Sequence, residues 1–123
     1  DDSWKIYGRT TGSPPHFTSK QAKVTHTLLS EGCEIYGTVI RSVLSNDVVV
    51  EEGAVVMDSV IMANTHIGKD ASVNYAILDE NITLEAGVKV GEAKETAKGI
   101  AVIGNGCTVE AGATVEAGAM ISE

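Results

Sequence analysis

Few side chains in this sequence are of the types that do chemistry in enzymes. The 123 residues include three histidines, His16, His26 and His66, and two cysteines, Cys33 and Cys107. A histidine can act as a general base, and several closely spaced histidines or cysteines can hold Zn²⁺. Neither a His-x₄-His nor a Cys-x₂-Cys spacing is present. We therefore predict no metal site, a surface position for His66 and buried structural positions for both cysteines.

The chain has a negative net charge, which limits the classes of partner that it can bind. Seventeen acidic residues stand against nine basic ones, which gives a formal net charge of −8 with the histidines neutral. Phosphate backbones and anionic membrane surfaces require a surplus of Lys and Arg, and no apolar run approaches the ~18 residues of a spanning helix. We therefore expect no nucleic acid or membrane partner and a cytoplasmic location. The basic residues nearest a preceding domain are candidates for binding a phosphate together with it, and they are Arg9, Lys20, Lys23 and Arg41.

The elements that must position these residues come from an internal repeat. Seven hexads align from an aliphatic residue, as in Val50-Glu-Glu-Gly-Ala-Val-Val56, and most contain a turn pair that ends in Gly. A second register, seen in Val39–Leu44, Val56–Ile61 and Val73–Leu78, recurs every 17 residues. The composition agrees, because 15 Val and 10 Ile accompany one Phe and one Trp, and β-branched residues favour strands. The aliphatic residues that we expect to stack inward as a structural ladder are Leu29, Ile35, Val50, Val56, Ile67, Val73, Leu84, Val90, Ile103, Val109, Val115 and Ile121.

This periodicity predicts an all-β fold, a single-stranded parallel β-helix of about five to six coils. Residues 22–123 form the β-helix in this interpretation. Residues 1–21 hold the only Trp, the only Phe and both prolines, and are predicted to be a lead-in from a missing domain. Residues 91–102 interrupt the repeat and are expected to form a loop or a short helical excursion. Because a solenoid needs its ends covered, we also expect self-association through a coil end or a flank.

The sequence resembles the C-terminal part of glucose-1-phosphate adenylyltransferase (ADP-glucose pyrophosphorylase). The resemblance is carried by the lead-in Trp4-Lys-Ile6-Tyr7 with Pro14-Pro15, and by the ordered blocks Ser42-Val-Leu44, Asp58-Ser-Val-Ile61 and Ala76-Ile-Leu-Asp79. It covers essentially the whole chain, and within the family it is closer to the second, GlgD-like subunit of bacterial glycogen synthesis. The left-handed sense of the coil follows from the resemblance to known hexapeptide proteins.

The resemblance implies a parent enzyme that makes ADP-glucose and diphosphate from ATP and glucose 1-phosphate with Mg²⁺, as a tetramer under metabolite control. ATP, glucose 1-phosphate and Mg²⁺ would bind to a preceding catalytic domain, so this fragment is assigned no catalytic residue and no cofactor. The β-helix would contribute contacts with other subunits and part of an anionic effector pocket. In the stretch Gly68–Tyr75 that corresponds to this pocket, only Lys69 is basic.

Two other functions remain open at this point. A free-standing hexapeptide acyltransferase would use a histidine as general base, with His66 as the candidate, and would need a CoA-binding rim and a trimer. A purely structural oligomerisation module differs from a regulatory domain only in whether ligands touch it.

Overall fold

The computed structural model describes residues 17–19 and 22–122. This part of the chain contains eighteen strands of two or three residues and no helix. The strands are short because each hexad supplies about one inward aliphatic residue before the next turn. In chain order they are β1 (Phe17–Thr18), β2 (Lys23–Thr25), β3 (Leu28–Leu29), β4 (Glu34–Ile35), β5 (Thr38–Ile40), β6 (Val43–Leu44), β7 (Val49–Val50), β8 (Val55–Met57), β9 (Val60–Ile61), β10 (His66–Ile67), β11 (Ser72–Asn74), β12 (Ala76–Leu78), β13 (Thr83–Leu84), β14 (Lys89–Gly91), β15 (Ala101–Ile103), β16 (Thr108–Val109), β17 (Thr114–Val115) and β18 (Met120–Ile121).

The strands form three parallel sheets of six strands each. Sheet A has the order β1-β4-β7-β10-β13-β16, sheet B the order β2-β5-β8-β11-β14-β17, and sheet C the order β3-β6-β9-β12-β15-β18. Each strand pairs with the strand three positions further along the chain, so the chain visits sheets A, B and C in turn. It therefore winds through six coils about 4.8 Å apart. This arrangement confirms the prediction of an all-β, left-handed parallel β-helix built on hexapeptide repeats.

The core consists of three ladders of aliphatic side chains, one for each sheet. In sheet B, Val stacks on Val, as in the register Val39, Val56 and Val73, while sheet C stacks Leu and Ile, as in Leu44, Ile61 and Leu78. Like residues stack because successive coils present side chains to the same narrow interior. Ten of the twelve residues expected to form the ladder are buried, and Leu29 and Ile121 are partly buried because they lie in the two end coils. The ten are Ile35, Val50, Val56, Ile67, Val73, Leu84, Val90, Ile103, Val109 and Val115.

The corner between sheets B and C, here called the B–C corner, is one residue shorter than a full hexad. A single residue in left-handed conformation makes this turn in the first four coils: His26, Arg41, Asp58 and Tyr75, with φ of 47°, 47°, 51° and 51°. This missing residue gives the 17-residue repeat, since three hexads would need 18.

Buried hydroxyl groups stabilise the same corner from inside. The Ser59 backbone N–H donates to the Ser42 Oγ of the preceding coil at 3.1 Å, and the Ala76 N–H donates to Ser59 Oγ at 3.2 Å. Each hydroxyl donates in turn to the carbonyl oxygen two residues earlier, Ile40 or Met57, at 2.8 Å. A polar group can be buried at this position because both its donor and its acceptor capacity are used.

The interruption of the repeat is a loop. Gly91 pairs with Asn74, an offset of 17 residues, whereas Ala101 pairs with Ala76, an offset of 25. Eight extra residues are therefore inserted at the B–C corner of the fifth coil. Within this insertion loop, residues 92–100, the Ala93 carbonyl accepts hydrogen bonds from the N–H groups of Thr96 and Ala97 at 3.0 and 2.9 Å. The insertion thus contains a single turn, and no helix was formed.

Candidate functional site

The residues predicted to bind an anion do not come together in the structure. Arg41 lies at the B–C corner between β5 and β6, whereas Lys69 lies at the corner between β10 of sheet A and β11 of sheet B. These are different edges of the triangular coil. Arg9 lies outside the described residues. Since a phosphate group is held by several charge-assisted donors at once, Arg41 and Lys69 cannot share one such anion.

Arg41 forms an ion pair within its own corner. Its Nε and Nη2 atoms donate to Oδ1 and Oδ2 of Asp58 at 2.7 and 3.0 Å, in the forked geometry that suits a guanidinium and a carboxylate. The hydrogen bond from Arg41 holds the pKa of Asp58 below its ordinary value, and Lys94 of the insertion loop acts in the same direction. Hydrogen bonding to Asp58 likewise raises the pKa of Arg41. The charge of Arg41 is therefore already balanced by a neighbouring carboxylate.

His66 lies on the outer face of sheet A, beside acidic side chains. Its Nε2 atom is 2.6 Å from Glu51 Oε2, and the Tyr36 hydroxyl donates to Glu34 at 2.8 Å, which raises the pKa of Tyr36. A nearby open cavity of about 370 Å³ is lined by Ser19, Glu34, Tyr36, Val49, Glu51 and Glu52. Three carboxylates disfavour a phosphate-bearing acyl donor, because like charges repel at close range. The surface position expected for His66 agrees with its exposure.

Both cysteines are buried. Cys33 is fully enclosed, its Sγ atom lies 3.0 Å from the Ser45 carbonyl oxygen, and burial raises the pKa of its thiol. A thiol with a raised pKa is a poor nucleophile near neutral pH. Cys107 occupies the equivalent position four coils later and is 7% exposed. Both side chains therefore act as small core residues.

Residues 17–19 and 22–122 contain neither a metal-binding cluster nor a membrane-spanning helix. No three His, Cys, Asp or Glu side chains in this part of the chain are arranged to hold a metal ion. It also has no helix of the length and apolar character needed to cross a bilayer.

The feature that the sequence analysis missed is the outer surface of sheet C. Every strand of this sheet points an aliphatic or Met side chain towards solvent, and the register places these six residues in one row. We call this row the apolar face, and its members are Leu28, Val43, Val60, Ile77, Val102 and Met120. Five of them are exposed, from Val60 and Ile77 at 37% to Met120 at 80%, and Val102 is partly exposed.

No comparable row exists on the described parts of the other two sheets. The outward positions of sheet A carry Glu34, His66 and Thr83 beside a half-buried Val49. Those of sheet B carry Lys23 and Lys89 together with the half-buried Ile40, Val55 and Met57. The one remaining exposed large apolar residue of the described chain, Ile100, immediately precedes β15 at the edge of the apolar face. A signal for this face was present in the sequence. Val43, Val60 and Ile77 each precede an inward residue, and alternation along a strand places them outward.

Comparison with known proteins identifies the family. Residues 14–110 match the family model described as GlmU-like, C-terminal hexapeptide. The chain belongs to this family. The GlmU-like hexapeptide family accounts for the repeat and for the three-sheet coil described above.

Relatives of this GlmU-like hexapeptide chain carry a more specific name. Proteins called glucose-1-phosphate adenylyltransferase from Bacillus cytotoxicus and Bacillus mycoides are 41% identical over 96 residues and 39% identical over 94 residues. The matches cover 78% and 76% of this chain but 26% and 25% of the relatives. The chain thus spans about a quarter of the length of these relatives, and the resemblance stated from its motifs is confirmed.

Among solved structures, the acetyltransferase domain of PglB from Neisseria gonorrhoeae FA1090 matches with a TM-score of 0.40 and 24% identity. The match covers 85% of this chain and 55% of that one.

Proposed function

We propose that this chain is the C-terminal β-helix domain of a glucose-1-phosphate adenylyltransferase. The parent enzyme would form ADP-glucose and diphosphate from ATP and glucose 1-phosphate for glycogen synthesis, in the cytoplasm. The observation that carries the proposal is the identity of about 40% with enzymes of that name over three quarters of the chain.

The domain would serve assembly and regulation, and the chemistry would take place in the three quarters of the relatives' length that this chain does not match. ATP, glucose 1-phosphate and Mg²⁺ would bind there. Two observations support this division. The two histidines of the described residues, His26 and His66, occupy surface positions and the two cysteines core positions, without a partner nucleophile or a metal-binding set. The exposed apolar side chains are gathered on one face, as expected of an interaction domain.

An anionic effector would depend mainly on Lys69 within this domain. Its side chain is exposed, whereas Arg41 is paired with Asp58. One lysine is too little for a phosphate site, so the remaining donors would come from the rest of the enzyme or from another subunit.

The test uses the full-length enzyme that carries these residues. It is incubated with Mg²⁺, ATP and glucose 1-phosphate, and both diphosphate and nucleotide sugar are quantified. We expect ADP-glucose, with lower turnover when another nucleoside triphosphate or sugar phosphate is substituted. Turnover that requires a different sugar phosphate or nucleotide would reject the assignment.

A further inference from the structure

We infer that Asn105 is a site of spontaneous deamidation, at the corner between β15 of sheet C and β16 of sheet A. The inference does not depend on the proposed function. The sequence has five asparagines, and Asn105 is the one that is followed by glycine. The residues that follow the other four are Asp47, Thr65, Tyr75 and Ile82.

The reaction needs no partner other than water. The backbone nitrogen of Gly106 attacks the side-chain Cγ of Asn105, a C–N bond forms, and the attacking nitrogen gives up its proton. The bond from Cγ to the side-chain amide nitrogen breaks and ammonia leaves, which closes a succinimide ring. Water then opens the ring at either carbonyl, so that residue 105 becomes aspartate or isoaspartate. Glycine favours the attack because it has no Cβ atom to crowd its own nitrogen.

The corner that holds Asn105 is open to water and is unhindered at the attacking residue. Asn105 is exposed, and Gly106 has a left-handed φ of 79°. The equivalent positions of three preceding coils carry Asp47, Asn64 and Asn81, with φ of 60°, 59° and 60°. The backbone of this corner therefore tolerates a side chain, and Gly106 differs from these three residues in leaving its nitrogen unhindered.

One hydrogen bond controls access to the attacking nitrogen. The Gly106 N–H donates to the Glu80 carbonyl oxygen of the preceding coil at 3.0 Å, so this corner must open before the nitrogen can attack. In the described chain β16 is the last strand of sheet A and pairs on one side, with β13. The segments that hold the other four asparagines are each covered by a further coil. Because local opening is easiest where fewest contacts must break, it also favours reaction at Asn105.

The product disturbs the corner in two ways. The register of β13 with β16 makes Glu80 the equivalent of residue 105 in the preceding coil. An aspartate at position 105 therefore adds a charge about 4.8 Å along the coil axis from Glu80, and like charges repel at this range. Isoaspartate carries the main chain through the side-chain carbon and lengthens it by one atom, which moves Thr108 out of register with Thr83. We therefore expect the modified chain to be less stable.

Peptide mapping by mass spectrometry tests the inference on the folded 123-residue chain after incubation at mildly alkaline pH. Deamidation adds about 1 Da to the peptide that contains the modified residue, and chromatography separates the aspartate form from the isoaspartate form. We expect Asn105 to deamidate severalfold faster than each of the other four asparagines. Circular dichroism before and after incubation establishes that the chain remains folded.

The variant Gly106→Asp places beside the attacking nitrogen the side chain that Asp47 carries at the equivalent corner. Its matched control is Thr108→Asp, which makes the same charge change at a nearby exposed position and keeps the Asn-Gly pair. We expect Gly106→Asp to slow deamidation at Asn105 severalfold and Thr108→Asp to leave the rate unchanged. During incubation the melting temperature of the original chain and of the control should fall, whereas Gly106→Asp should keep its own starting value.

Deamidation at Asn105 that is no faster than at the other asparagines would overturn the inference, and so would equal rates in the two variants. A melting temperature that stays constant while Asn105 is converted would overturn the expected loss of stability.

Discussion

Leu78 and Ile77 are adjacent in β12 and point in opposite directions. Substituting each in turn therefore distinguishes the contribution of core packing to stability from that of the outer surface. Leu78 is fully buried, whereas Ile77 is 37% exposed on the apolar face. We expect Leu78→Ala to lower the free energy of unfolding by about 2–5 kcal/mol, because it leaves a cavity in the ladder. Ile77→Ala should cost about 1 kcal/mol or less. Urea denaturation of both variants measures the difference, and equal losses would contradict the ladder.

Arg41 gives a prediction about pH. Its hydrogen bond lowers the pKa of Asp58 from the ordinary value of 3.8, so ionised Asp58 stabilises the folded state above that value. This contribution is lost as pH falls through the lower pKa of the folded state. We expect Arg41→Gln to lower the urea midpoint at pH 7, and the difference from the original chain to shrink below pH 3.8. Lys69→Gln, with the same charge change at another corner, is the control, and a difference independent of pH would count against the ion pair.

The sequence predicted which residues point inward better than it predicted which outward side chains meet. The inward positions were predictable because every hexad repeats the same requirement for a small aliphatic side chain. The Arg41–Asp58 pair was missed although the two residues are one 17-residue coil apart, which places them at successive B–C corners. A periodic alignment of inward residues does not by itself show which outward side chains meet.

At the scale of elements, the corners decide whether coils can stack. Gly91 ends β14 with φ of 71°, and a Cβ atom there would lie 2.1 Å from the Asn74 carbonyl oxygen of the previous coil. Gly112 has a similar φ of 76°, but a Cβ atom there would have no neighbour within 4 Å. Both glycines therefore need a left-handed backbone conformation, but only Gly91 lacks the space for a Cβ atom.

This contrast predicts two different costs. Gly112→Ala should lower the free energy of unfolding by about 1–2 kcal/mol, the cost of a left-handed conformation for a residue with Cβ. Gly91→Ala should cost about 2 kcal/mol more, because the backbone of the neighbouring coil must move. Thermal or urea denaturation of both variants checks the difference. Equal destabilisation would indicate that the approach of Gly91 to Asn74 does not limit stacking.

For the insertion loop, the sequence predicted the position of the extra residues but not their conformation. The break in the hexads located the extra residues, but local sequence did not choose between a loop and a short helix. The segment Gly91–Ile100 has too few apolar residues to bury a helical face, and the structure forms one turn next to the B–C corner. The loop brings Lys94 and Glu95 towards the Asp58–Arg41 pair, where each influences the pKa of its opposite charge.

At the scale of the whole molecule, the repeat makes the fold easy to predict from sequence and the function difficult. Since each coil imposes the same geometry, the parallel β-helix followed from the spacing of aliphatic residues, and its left-handed sense from the resemblance to known hexapeptide proteins. Function depends on what differs between the three outer surfaces. Sheet C was not distinguished from sheets A and B until the register aligned Leu28, Val43, Val60, Ile77, Val102 and Met120.

The three outer faces of the described coils therefore differ in the side chains that they expose to solvent. The outer face of sheet C carries a row of exposed apolar side chains, whereas sheet A carries Glu34 and His66 and sheet B combines Lys23 and Lys89 with half-buried apolar residues. This difference supports the proposed role of the domain in assembly, with the reaction proposed to take place in the part of the relatives' length that this chain does not match.

The most direct test of this account is an ADP-glucose assay with the isolated 123-residue chain beside the full-length enzyme, at equal molar concentration with Mg²⁺, ATP and glucose 1-phosphate. The account predicts ADP-glucose formation by the full-length enzyme and no formation by the isolated chain above the rate without enzyme. ADP-glucose formation by the isolated, folded chain would contradict the claim that this domain serves assembly and regulation while the chemistry takes place elsewhere.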